Sequence, residues 1–138
     1  MISRHRLNPG PHRLTTTRAV LGPAGDISCI EDSPNFFAEL AAEFGTFAGH
    51  ALIATFEFDA DWPSWEKHPK GDEFVYLLFG DIDFVLWIDG AERIVRLSEP
   101  GTYVVVPKDT WHTGRPRKRT GMLFVTPGED TANAERPD

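Results

Sequence analysis

Apolar residues recur along the chain in two different periods. Over Phe36, Phe37, Leu40, Ala41 and Phe44 the spacing is that of one helical face, and Ser33-Pro34 before it and Gly45 after it are start and stop signals. This predicts one short helix near the N-terminus, packed on the outside of the body. Before it, residues 14–21 are rich in Thr and Val and read as a strand ended by Gly22-Pro23. From His50 onward the pattern is that of β-structure: Ala51–Phe58, 74–79, 83–88, Ala91–Leu97, Tyr103–Val106, 112–115 and 122–126 read as strands. Asp89-Gly90 between two of them is a strong two-residue hairpin signal. Many short strands with a turn every few residues predict an all-β sandwich or barrel.

The expected layout is an N-terminal arm, strand and helix over 1–45, a barrel over 46–130 and a loose tail over 131–138. Within 74–79, an inward Glu73 would bring Val75, Leu77 and Phe79 inward and leave the equally apolar Phe74, Tyr76 and Leu78 outside. Both faces then need cover, by the helix, the N-terminal arm or a second subunit, and a homodimer is the expected way to bury the remainder.

Composition narrows the class. At 138 residues with 41% hydrophobic side chains the chain is one globular domain, and its ten Phe and four Trp favour an aromatic interior. A net charge of −7 argues against binding duplex nucleic acid. Cys29 is the single cysteine, so a cytoplasmic, reducing setting is expected, with no membrane span.

The chemistry gathers in two stretches. Residues 65–80, WEKHPKGDEFVYLLFG, hold Glu66, His68 and Glu73; residues 101–112, GTYVVVPKDTWH, supply His112. Glu66 and His68 lie two apart, on one side of an extended chain. Two imidazoles and two carboxylates make a mixed nitrogen and oxygen donor set for a divalent first-row metal. Two inward carboxylates also demand a proton or a cation between them. Trp62, Phe79 and Trp111 are candidate pocket walls. Arg115, Arg117, Lys118 and Arg119 read as a solvated turn or, more sharply, as an anion anchor at the mouth of the pocket.

These stretches resemble the paired motifs of the cupin superfamily. His68, Glu73 and Gly80 fall at first-motif positions, and Gly101, Pro107 and His112 at second-motif positions. The phrase W-E-x-H-P-x-G-D-E is similar to that of small single-domain cupins. Departures are Ala60, Glu66, Asp109 and Pro116, where the family pattern has Gly, His, Gly and Asn. The resemblance implies a double-stranded β-helix (jelly-roll barrel) and the ligand set Glu66, His68, Glu73 and His112. It implies Fe, Mn, Zn or Ni as cofactor and a small organic molecule as ligand. Dioxygenase or isomerase chemistry, with Glu66 as the catalytic carboxylate, is one expectation. A non-catalytic sensor or binding module is a second, and a metal-free pocket with paired carboxylates a third.

Overall fold

The structure, a computed structural model, describes residues 9–137; the first eight residues of the expected arm, His5 among them, lie outside that range. Strands β1 (Thr17–Leu21) and β2 (Ile27–Glu31) form a hairpin, and helix α1 (Phe36–Phe44) follows. Then come β3 (Ala51–Phe58), β4 (Trp65–Lys67), β5 (Glu73–Phe79), β6 (Ile82–Ile88), β7 (Ala91–Leu97), β8 (Tyr103–Val106), β9 (His112–Pro116), β10 (Thr120–Thr126) and β11 (Ala132–Ala134). They build two antiparallel sheets, ordered β2-β1-β3-β10-β5-β8 and β11-β4-β9-β6-β7. The pairings nest: β6 with β7, β5 with β8, β4 with β9 and β3 with β10, alternately in one sheet and the other. A long hairpin folded over itself in this way is a jelly roll. The two sheets form a sandwich rather than one continuously hydrogen-bonded barrel.

Asp89 and Gly90 close the innermost hairpin with φ of 52° and 75°, the doubly left-handed turn that matches strand twist. The core lies between the sheets, where alternation brings Val75 and Leu77 of β5, Ile82, Phe84 and Leu86 of β6, and Met122 and Phe124 of β10 together. The alternation fails at Phe79. A bulge between Gly121 and Met122 shifts the β10–β5 register. Phe79 consequently turns out over Gly121 and is 39% exposed, instead of pointing inward as its position in the run suggests.

The helix lies on a different face from the one expected. Val20 pairs with Leu52, Leu52 with Thr126, and Phe124 with Val75, so these residues share the inner face. Phe36 and Leu40 of α1 pack against Val20 and Ile30 on that same face, where the six-stranded sheet extends past its partner. The helix thus covers the inner side at one end of the sandwich, not its outside. Its N-cap is Asn35 rather than Ser33, whose hydroxyl accepts from the Asn35 N–H and donates to Glu39. Gly45 closes it, with its N–H on the Ala41 carbonyl.

The tail, expected to be loose, carries β11, which pairs with β4 through Ala132–Lys67, Asn133–Glu66 and Ala134–Trp65. On the outer face of the six-stranded sheet, Tyr103 and Val105 stand 56% and 47% exposed, with Phe74 at 4.7 Å from the Tyr103 ring. No helix among the described residues is long and apolar enough to cross a membrane.

Gly80 has φ of 107°, and a Cβ there would lie 2.6 Å from the Thr120 Cα and 2.7 Å from the Arg119 carbonyl oxygen. Backbone cannot retreat as a side-chain tip can. Gly80→Ala is therefore expected to cost at least about 1–3 kcal/mol in urea denaturation, the range for backbone strain; a wild-type midpoint would contradict this close approach.

Candidate metal centre

Each ligand candidate is placed by a different constraint. Glu66 lies on β4 directly across from His112 at the start of β9. His68 follows β4, and the bend through Pro69 and Gly71 returns the chain so that Glu73 opens β5. The bend is tied to the turn before β9. The Asp72 carboxylate accepts from the Lys108 N–H at 2.7 Å, and the His68 carbonyl accepts from the Asp109 N–H at 2.9 Å. Asp109, standing where the resembling motif has Gly, keeps a left-handed backbone with φ of 63°, a conformation Asp tolerates better than most side chains.

The four side chains converge. His112 Nε2 lies 3.1 Å from Glu73 Oε1; His68 Nε2 lies 3.4 Å from Glu73 Oε2 and 3.8 Å from Glu66 Oε1. Ligand atoms of Glu66, His68 and His112 fall within 4.8 Å of one another and could hold a metal ion. His68, Glu73 and His112 are buried, and Glu66 is half-buried.

The hydrogen bonds behind the imidazoles decide how they face the centre. His112 Nδ1 lies 3.0 Å from the Thr110 carbonyl oxygen, which can only accept. His68 Nδ1 lies 2.9 Å from Thr131 Oγ1, whose own proton goes to the Gly128 carbonyl. Both Nδ1 atoms therefore carry hydrogen, and in the neutral rings both Nε2 lone pairs aim inward. His68 Nε2, His112 Nε2 and Glu73 Oε1 are buried without a hydrogen-bond partner, since their mutual contacts lack the alignment of one. Glu73 Oε2 accepts from Thr126 Oγ1 at 2.6 Å.

Ionisation follows this crowding. Burial pulls the Glu73 carboxyl up, but the facing His112 and His68 outweigh it and hold the group down at about 2. Burial likewise opposes a charge on His112, yet the Glu73 carboxylate beside it raises its pKa. The Glu66 carboxyl is raised, chiefly by burial, with Glu73 adding to the shift and the two histidines opposing it. The centre stabilises positive charge.

A cavity of about 840 Å³ opens beside the cluster and reaches under α1. Glu66, His68 and Glu73 line one end; Leu40 and Phe47 line the helical end, with Phe56, Phe58, Trp62 and Phe124 between. Of the predicted walls, only Trp62 lies there. Phe79 is turned out by the bulge, and Trp111 lies outside with Lys67 Nζ 4.7 Å from its ring centroid. The arginine run is spent on surface carboxylates: Arg115 on Glu92, Arg117 on Asp81 and Asp83, Arg119 on Glu57. His50, with Nδ1 on the Ala48 carbonyl and its ring against Phe44 and Phe47, is structural. Thr126 and Thr131 were not foreseen as site residues. Alternation from Met122 and Phe124 could have pointed Thr126 inward; nothing in the sequence marks Thr131.

No family model matches the chain, and no curated protein matches it. Solved structures with a similar fold include the hydroxypropylphosphonic acid epoxidase of S. wedmorenis (16% identity, TM-score 0.47, covering 55% of this chain and 43% of that one). A cupin-2 domain containing protein from Shewanella frigidimarina shows 17% identity and a TM-score of 0.48 over 56% of this chain and 70% of that one. A variant of Bacillus subtilis oxalate decarboxylase, an enzyme described with Mn(II) centres, shows 19% identity and a TM-score of 0.49 over 62% and 23%. The chain thus spans less than half the length of the epoxidase. These neighbours are cupin-fold proteins; the fold of this chain is defined by its own strand order and register.

Thr126→Val removes the donor to an oxygen of the buried Glu73 carboxylate. In metal-free protein this is expected to cost about 1–3 kcal/mol, the penalty for an unsatisfied buried acceptor, with Thr126→Ser close to wild type. Equal denaturation midpoints for all three would show that Glu73 does not depend on this bond.

Proposed function

We propose that this chain is a cupin-type metal protein in which His68, His112, Glu73 and Glu66 hold one divalent first-row transition metal, and the adjoining cavity receives a small organic molecule. The observation that carries the reading is the set of three buried, partnerless acceptor atoms converging from three strand ends. Leaving them so costs several kcal/mol, and a cation satisfies all of them at once. Two imidazoles with carboxylates suit Fe, Mn, Zn or Ni. Bound there, the metal would supply Lewis-acid polarisation of an oxygen-bearing ligand. Thr110 and Thr131 hold the imidazole tautomers, and Thr126 orients Glu73. In the form of the site held by His68, His112 and Glu73 alone, Glu66 at the cavity wall would be free to accept and return a proton there. Dioxygenase or isomerase chemistry is the enzymatic form of this proposal; ligand binding without turnover is its non-catalytic form.

A metal-free reading has one observation in its favour. The Glu73 carboxylate lies beside both imidazoles, and the raised His112 pKa matches a carboxylate–imidazolium pair. Metal titration separates the two. Wild type is expected to take up one equivalent of Mn(II), Fe(II), Ni(II) or Zn(II), while folded His68→Ala and His112→Ala lose it. Thr131→Val is expected to weaken binding by about 10–100-fold, the usual effect of losing a partner behind a ligand imidazole. Equal uptake by all four proteins would remove the proposed ligands.

The second copy expected from the sequence would cover the outer face around Phe74, Tyr76, Tyr103 and Val105. Tyr103→Glu should then convert a dimer to a monomer in sedimentation velocity; a wild-type monomer at micromolar concentration would end the proposal.

A further inference from the structure

We infer that the ligand of the cavity is a largely apolar molecule carrying no anionic group. The inference rests on reading the cavity as the ligand chamber, but not on metal occupancy. Three observations support it. The chamber wall is more apolar than polar, with the rings of Phe47, Phe56, Phe58, Trp62 and Phe124 along its length, and it has room for a ligand of more than one ring.

The charged side chains lining it, apart from His68, are all acidic: Glu57, Asp59, Asp61, Glu66 and Glu73, with no Lys or Arg. The neighbouring arginines are already paired with carboxylates. Arg119 is held by Glu57 of the lining itself, and Arg115 and Arg117 serve Glu92, Asp81 and Asp83 outside it. Arg18 lies nearby, but its guanidinium is over Phe36 at 4.3 Å and Phe56 at 5.0 Å, with Asp32 at 3.6 Å, and it does not line the cavity.

The metal centre does not reverse this. Glu66 and Glu73 already match the charge of a divalent ion, so the loaded centre presents no net positive charge to an anion. An incoming carboxylate would lose water and meet Asp59 and Asp61 with no Lys or Arg in the lining to offset them. An uncharged aromatic body loses little and gains ring contacts. Organic acids are thereby disfavoured as ligands of the cavity.

A matched pair of fluorescent probes tests this: neutral N-phenyl-1-naphthylamine and its sulfonated counterpart 8-anilinonaphthalene-1-sulfonate. The neutral dye is expected to saturate at one per chain and to bind at least about tenfold tighter, a difference of about 1.4 kcal/mol. Ala41→Trp, which narrows the helical end, should weaken neutral-dye binding several-fold; Thr46→Trp serves if that variant does not fold. Binding should persist in metal-free His68→Ala, so loss of the metal reading and loss of this inference are distinguishable. Equal or tighter binding of the sulfonate would overturn the inference. So would absence of saturable neutral-dye binding, or indifference to both cavity-narrowing variants.

Discussion

The constraint on which the site depends is the commitment of two imidazole Nδ1 atoms to acceptors behind them. Thr110 takes one hydrogen with a backbone carbonyl, and Thr131 takes the other with a hydroxyl whose own proton is already given away. Each ring is thereby prevented from turning its protonated nitrogen toward Glu73 in the neutral state. The result is a buried pocket of lone pairs, two from nitrogen and the rest from carboxylate oxygen, with too few donors to satisfy them. Such an arrangement is stable only when positive charge occupies its middle, as a shared proton or as a metal.

The jelly roll makes this concentration of acceptors possible. Nested pairing sets β4 beside β9, which brings Glu66 opposite His112, while β5 in the other sheet presents Glu73 across the gap. The bend before β5 and the turn before β9 are bound by Asp72 and by the His68 carbonyl, so the loops carrying both histidines are fixed to each other. Thr131, immediately before β11 at the edge of the smaller sheet, completes the shell against His68. Helix α1 closes the far end and turns the ordinary end of a sandwich into a chamber.

The parts of this design governed by local pattern were readable in the chain. Alternation along β5 and β10 gives the core and Asp89-Gly90 gives the innermost hairpin, while the resemblance to paired motifs implied the set Glu66, His68, Glu73 and His112. What escaped was decided by pairing. β2 places Ser28 beside Ile30 on its buried face and exposes Ile27, so no clean alternation marks it. β11 is too short and polar to stand out and exists through its ladder with β4. The side of the sheet that receives α1 follows from the register of β1 against β3, which no helical periodicity encodes. Phe79 keeps the right parity in sequence but loses it where Leu78 is left unpaired and the β5–β10 register shifts.

The most direct measurement of the central claim is anomalous diffraction from crystals of the metal-loaded protein, collected on either side of the metal absorption edge. The account predicts one strong peak inside the sandwich, about 2.0–2.2 Å from both His68 Nε2 and His112 Nε2 and in contact with Glu73 oxygen, as first-row metal ligation requires. A peak elsewhere in fully loaded crystals, with the two imidazoles hydrogen-bonded to Glu73 as cations, would contradict it.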